Sequence, residues 1–244
     1  MRIKFLKYNL DDLSLEETVN KAVELINLGS THQHVVLNAA KIVLMEKDDE
    51  LAGIVNSCDL ISADGISIVW ASRFLGNKLK ERVAGIDLMQ KLLETADKNR
   101  YRIFLFGAEE EIVKRVSENI KIKYKNLTLA GYRNGFFKKE EEPEIIKQIN
   151  DSRSHIVFVG FSSPKKEFFL HYNKNFLTVP FCMGVGGSFD VVAGKYSRAP
   201  IWMQRAGFEW FYRYIQEPGR LWKRYTINNF LFVMIVLRYK FFKK

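Results

Sequence analysis

Residues 102–124 run Arg102-Ile-Phe-Leu-Phe106, then Gly107-Ala108-Glu109-Glu110, then a segment with helical spacing that ends at Tyr124. An apolar run of this length, closed by a glycine, has the signature of a buried strand that turns straight into a helix. The same unit recurs outward in both directions. Upstream, His34–Leu37 and Asp59–Ser62 are strand-like, and helical spacing marks Ser14–Leu28, Ile66–Phe74 and Gly85–Lys98. Downstream, Asn126–Ala130, His155–Val159 and Val179–Met183 are strand-like, with a helical segment at Glu140–Asp151. This alternation predicts an α/β fold: a mostly parallel, Rossmann-like sheet flanked by helices. Ligands of such sheets bind at the carboxyl ends of the strands, so the residues just after each strand carry the functional information.

The 244 residues suffice for one large α/β domain and an appendage, and 47% hydrophobic with 27% charged residues is ordinary globular usage. Two distant cysteines, Cys58 and Cys182, suggest neither a disulfide framework nor a zinc site, which fits a reducing cytosol. The charge is uneven. Residues 195–244 hold eleven Lys/Arg against Glu209 and Glu217, which is +9 of the net +10. A basic segment of this kind needs either ample water or a polyanionic neighbour, with lipid headgroups, a pyrophosphate and nucleic acid as the candidates. Beyond Tyr196, aromatic and basic residues crowd together and strand-like runs cease, so the chain divides into a core, 1–195, and a helical appendage, 196–244. Pro218-Gly219 interrupts the appendage. The start of the chain carries no signal-peptide pattern, and no apolar run reaches the length of a spanning helix. Phe230–Leu237, set among Arg and Lys, suits a helix lying in a membrane interface.

Several strand-end residues are chemically suggestive. Asp64 follows Asp59–Ser62 and opens the Ile66–Phe74 segment, where a carboxylate can act as general base or merely cap the helix. Asn38 can contact sugar hydroxyls or cap the helix after it. Gly107 permits close approach of a ribose or phosphate, or simply makes a tight turn. Ser162-Ser163-Pro164-Lys165-Lys166-Glu167 offers amides, hydroxyls and two lysines as a phosphate cradle, against a capped helix with solvated lysines. Gly184-Val-Gly186-Gly187-Ser-Phe189 lacks the third glycine of a dinucleotide fingerprint, which argues against a nicotinamide enzyme. Several of Arg213, Arg220, Lys223 and Arg224 could share one helical face suited to phosphate oxygens if the chain is helical there, with only Glu217 interrupting.

Taken together, these stretches resemble the WecG/TagA/CpsF family of bacterial glycosyltransferases from about Val35 to Tyr225. The most specific blocks are Ala63-Asp64-Gly65-Ile66, Glu81-Arg82-Val83-Ala84-Gly85-Ile86-Asp87, Gly160–Glu167 and Gly186–Arg224. The resemblance implies an inverting transfer of a hexose or N-acetylhexosamine from a UDP-sugar to an undecaprenyl-pyrophosphate-linked saccharide, in cell-surface polysaccharide or teichoic acid synthesis. It implies no metal or other cofactor, and attachment to the inner face of the cytoplasmic membrane. In that scheme Asp64 is the base, Asn38 contacts the donor sugar and Arg82 reaches the sugar or diphosphate. Gly107, Ser163, Lys166, Glu167 and Gly186 line the substrate site. Arg213, Arg220, Lys223 and Arg224 hold the lipid pyrophosphate. Val36 stands where the family often has Thr, and Lys166 where it often has Gln, so the identity of the donor sugar stays open.

The alternatives are a non-catalytic membrane-bound protein of the same fold and a nucleic-acid binder. The near-neutral core and the lack of a nucleic-acid motif argue against the latter. A homo-oligomer is left open.

Overall fold

A computed structural model describes residues 1–242, the side chain of Arg224 excepted. The chain opens with a hairpin, β1 (Arg2–Phe5) and β2 (Tyr8–Asp11), paired antiparallel. Its turn, Leu6-Lys7, contains neither Gly nor Asn, although Leu6 sits at φ 55°, so the usual hairpin signal is missing from the sequence. Arg2 closes the hairpin with a two-pronged bond to Asp11 at 2.8 and 2.9 Å.

Helix α1 (Leu15–Leu28) begins at a reciprocal cap: Ser14 Oγ accepts from the Glu17 amide, and the Glu17 carboxylate accepts from the Ser14 amide. Then follow β3 (His32–Leu37), α2 (Ala39–Met45), α3 (Asp49–Asn56), β4 (Leu60–Ala63), α4 (Ile66–Phe74) and α5 (Gly85–Lys98). The next stretch holds β5 (Arg102–Phe106), α6 (Glu110–Lys123), β6 (Thr128–Arg133) and, after a 3₁₀ turn, α7 (Glu142–Asp151). The core ends with β7 (Ile156–Val159), α8 (Lys165–Tyr172), β8 (Phe181–Gly184) and the short α9 (Ser188–Val192). Among the described residues, four further helices follow: α10 (Ile201–Arg205), α11 (Glu209–Gln216), α12 (Pro218–Tyr225) and α13 (Ile227–Phe242).

Strands β3–β8 form one parallel sheet in the order β4-β3-β8-β7-β5-β6. The expected α/β architecture is therefore present. The strand expected at Val179–Met183 starts two residues later, because Pro180 has no amide hydrogen for the ladder. The one expected at Asn126–Ala130 runs on to Arg133 along the sheet edge.

Alternation along the strands feeds two cores. Ile103, Leu105, Ile156, Phe158, Phe181 and Met183 pack with α1, α5, α6 and α9 on one face. Phe104, Phe106, Val157, Val159 and Cys182 pack with α7 and α8 on the other. On that second face Val35, Leu37, Ile61 and Ala63 meet α2, α3 and α4. Helix α13 joins this last group: Phe232 and Val236 are buried there, and the Tyr239 hydroxyl donates to the Leu6 carbonyl at 2.9 Å. The C-terminal helix is thus built into the same core as the N-terminal hairpin. Among the described residues, no helix is long and apolar enough to cross a membrane.

Candidate active site

Because the six strands are parallel, their carboxyl ends lie along one edge, and most of the residues singled out from the sequence fall on it. Asp64 leaves β4, half-buried, with its amide donating to the Leu37 carbonyl of β3 at 2.8 Å. The helix-capping position of α4 belongs to Gly65, at φ 95°, and no side chain caps it. Asp64 therefore stands one residue before the N-cap and is not itself the capping residue. Asn38 does cap: its side-chain oxygen accepts from the Lys41 amide at 3.0 Å, which fixes the start of α2 and still leaves the amide nitrogen to donate.

Beside β4 runs the segment that holds Arg82. The Val83 amide donates to Ala63 at 2.9 Å, which draws this segment against the strand that leads to Asp64. Arg82 turns to Glu209 on α11, Nη1 to Oε2 at 3.2 Å. Next in line, α5 begins at Gly85 with no side-chain cap, so its first-turn amides are available at this edge. A Cβ at Gly85 would lie 3.5 Å from the Val36 side chain, which puts the family-variant Val36 next to that helix start.

On the other side, the turns after β5, β6 and β7 pack backbone to backbone. A Cβ on Gly107, at φ 124°, would sit 2.7 Å from the Gly160 nitrogen, and one on Gly135 would sit 3.0 Å from the Gly107 Cα. Only glycine allows this crossing. The Gly107 turn is thus dictated by packing against Gly160 as much as by any ligand.

Ser163, Lys166 and Glu167 lie just beyond, and here the two lysines separate. Lys165 is exposed over the Phe137 ring, at 3.9 Å. Lys166 is buried, its stem laid over Gly184 at the end of β8. Its ammonium donates to the Ser163 hydroxyl and approaches Glu167 Oε1 at 2.9 Å. The same Oε1 accepts from Ser163 at 3.1 Å and pairs with Lys41 from α2. The Lys41 and Glu167 side chains are 2% and 1% exposed. Among the described residues, Glu167 Oε2 has no hydrogen-bond partner. Burial alone would raise the Glu167 pKa, but the attraction of Lys41 and Lys166 outweighs it and holds the carboxyl at about 2. Lys41 and Lys166 thus both close on a single oxygen of Glu167.

Gly186, at φ 51°, and Gly187 lead from β8 into α9. The Arg213 guanidinium occupies the space above Gly187, where a Cβ would lie 2.5 Å from Nη2, and donates to the Gly187 carbonyl at 3.1 Å. Arg220 approaches Asp190 at 3.9 Å. Burial lifts the Asp190 carboxyl above its ordinary range, against the pull of Arg220 and Lys195. Arg213, Arg220, Lys223 and Arg224 do not all lie on one helix. The break at Glu217-Pro218 puts Arg213 on α11 and the other three on α12. What unites Arg213 and Arg220 is Glu217, whose buried carboxylate lies between them, 3.8 Å from Arg213 Nε and hydrogen-bonded to Arg220 Nε. Lys223 is exposed, and the Arg224 side chain lies outside the described residues.

Lys41, Glu209, Glu217 and Arg198 were not anticipated. A lysine inside the otherwise apolar Ala39–Met45 was a usable signal for a buried ion pair. Glu217, read as an interruption of a basic face, instead bridges its arginines. Among the described residues, no group of three or more His, Cys, Asp or Glu is arranged to hold a metal ion.

The profile of the WecG/TagA/CpsF glycosyltransferase family matches residues 3–244. Two relatives carry the name N-acetylglucosaminyldiphosphoundecaprenol N-acetyl-beta-D-mannosaminyltransferase. The protein from Bacillus subtilis (strain 168) is 39% identical over 178 residues, which is 73% of this chain and 68% of the relative. That from Bacillus spizizenii is 36% identical over 171 residues, 70% of this chain and 65% of the relative. With a strand-end carboxylate, the buried Lys41–Glu167–Lys166 cluster and the glycine crossings assembled on one edge of the sheet, and a profile that matches nearly end to end, this chain belongs to the WecG/TagA/CpsF family of glycosyltransferases.

Proposed function

We propose that the chain transfers N-acetylmannosamine, with inversion, from its UDP derivative to an undecaprenyl-diphosphate-linked N-acetylglucosamine, as the names of its relatives describe, in the assembly of a cell-surface polymer. The observation that carries this reading is the shared edge: Asp64 follows β4, and Arg213 of α11 and Arg220 of α12 reach Gly187 and Asp190, just beyond β8. An acceptor held by its diphosphate at Arg213 and Arg220 presents a sugar hydroxyl toward Asp64. The Asp64 carboxylate takes the hydroxyl proton as the oxygen attacks the anomeric carbon. The bond from that carbon to the diphosphate oxygen breaks on the opposite face, and the electron pair leaves with UDP. Charge building on the leaving diphosphate is met by Arg82, by the first-turn amides of α5 and by Lys166. Asn38 donates to the donor sugar. Gly107 and Gly186 let the backbone approach the nucleotide, and Ser163 and Glu167 fix Lys166. No metal or cofactor enters this scheme.

Residues 196–244 form the acceptor-side appendage, with Lys223 and Arg224 adding to its positive charge. Trp202 (66% exposed), Phe230 (66%) and Phe241 (68%), among basic residues, suit contact with an anionic bilayer. The protein then works as a peripheral protein on the inner face of the cytoplasmic membrane.

The test is UDP release by the full chain with UDP-N-acetylmannosamine and a short-chain lipid-diphosphate N-acetylglucosamine, beside Asp64→Asn. Acceptor-dependent release is expected in the wild type, with a loss of roughly 10²–10⁴-fold in the variant at unchanged thermal stability. Equal rates in the two proteins would remove Asp64 from the mechanism. Silence of the wild type across UDP-sugars and acceptors would favour a non-catalytic protein of this fold.

A further inference from the structure

Glu209 opens α11 and touches two arginines at once. Its Oε1 accepts from Arg198 Nε at 3.1 Å and Nη2 at 2.9 Å, and its Oε2 accepts from Arg82 Nη1 at 3.2 Å. Arg198 in turn binds Asp87, in the first turn of α5, and donates to the Gln204 side chain at 2.9 Å. Charges therefore alternate along Asp87, Arg198, Glu209 and Arg82, and each side chain in the row is between 19% and 27% exposed. Two of these residues belong to the α/β core and two to the C-terminal part of the chain. Arg82 is anchored through its backbone neighbour Val83 beside β4, but its guanidinium donates across to Glu209 on α11.

We infer that Glu209 is a positioning residue: docking of α11 sets a carboxylate against Arg82 and so orients the donor-side guanidinium. The inference rests on the reading of Arg82 as a residue that faces the donor diphosphate. A long arginine side chain has many rotamers, and a charge-assisted bond to a fixed carboxylate selects among them before the ligand arrives. Arg198, clamped between Asp87 and Gln204, holds Glu209 in turn. The donor site is then complete only when the C-terminal helices are in place, so the acceptor-binding part of the chain governs the geometry of donor binding.

The experiment is a double-mutant cycle on the full chain with Glu209→Gln, Arg82→Gln and the pair, read both as UDP affinity by calorimetry and as kcat/KM for the UDP-sugar. Glu209→Gln should weaken UDP binding about tenfold and lower donor kcat/KM by a similar factor. The acceptor KM should change less than twofold. The paired variant should be no worse than Arg82→Gln alone. Additive losses would overturn the inference, as would an inert Arg82→Gln. Tighter UDP binding by Glu209→Gln would overturn it too, because Glu209 would then merely compete with the ligand's charge. Glu209→Asp, which keeps the charge but withdraws the carboxylate, should fall between wild type and Glu209→Gln, and takes its place in the cycle if that variant does not fold. The affinity arm needs no turnover. A coupled cycle in UDP binding with no acceptor-dependent UDP release would sink the proposed reaction and leave the positioning role standing.

Discussion

Replacing Glu167 by Gln is the sharpest perturbation of the site's electrostatics, because the side chain keeps its shape and loses only its charge. In the wild type this carboxylate faces Lys41 and Lys166, whose side chains are 2% and 7% exposed. The fall of the Glu167 pKa from 4.5 to about 2 is worth about 3 kcal/mol at pH 7. An independent figure comes from breaking buried ion pairs by removing one partner, which costs ~3–5 kcal/mol. The two agree on a loss of about 3 kcal/mol, or a fall in Tm of roughly 6–12 °C for a chain of this size. The assay is urea denaturation at pH 7, repeated down to pH 3. Because the folded-state pKa of Glu167 lies below its unfolded value, the wild type's advantage over the variant is full above about 4.5 and shrinks as pH falls toward 2. A variant within 1 kcal/mol of wild type at pH 7, with no such narrowing in acid, would refute the cluster as a source of stability.

Three further outcomes follow from particular contacts. Gly107→Ala adds a Cβ that would lie 2.7 Å from the Gly160 nitrogen at a positive φ, so it should cost about 2 kcal/mol or more in chemical denaturation and reduce UDP binding. His34, buried against Ser62 and pushed down to about 3 mainly by desolvation, stays neutral in the folded protein and protonates on unfolding below 6.5. Stability should therefore fall as pH drops from 6.5, by ~2 kcal/mol at pH 5, and His34→Gln should flatten that part of a stability-against-pH curve. Phe232→Ala, 3% exposed in the core beside the hairpin, should destabilise by ~3–5 kcal/mol, whereas Phe230→Ser, on the open side of the same helix, should leave Tm unchanged and weaken sedimentation with anionic vesicles.

The apolar runs and their helical neighbours were enough to read the parallel sheet, because a strand buried on both faces must be apolar throughout and must turn at small residues. Gly85–Lys98 and Arg102–Phe106 were legible to the residue for this reason. The N-terminal hairpin was not, since its turn is Leu6-Lys7 and its pairing partners are set by Arg2 and Asp11. Asp64, Asn38, Lys166 and the arginines could be picked out as candidates, because strand ends and concentrated charge are local properties of a sequence.

What the sequence by itself determined was the α/β alternation, the edge where a ligand must bind, the uneven charge and the family resemblance, all of which reside in residue types at short separations. Only the tertiary structure decided which charges meet. Lys41 and Glu167 lie 126 positions apart, and Arg82 and Glu209 lie 127 apart. Whether a lysine is solvated like Lys165 or buried like Lys166 depends on neighbours brought in from other strands, and ion pairing acts over a few ångströms of space with no regard for distance along the chain.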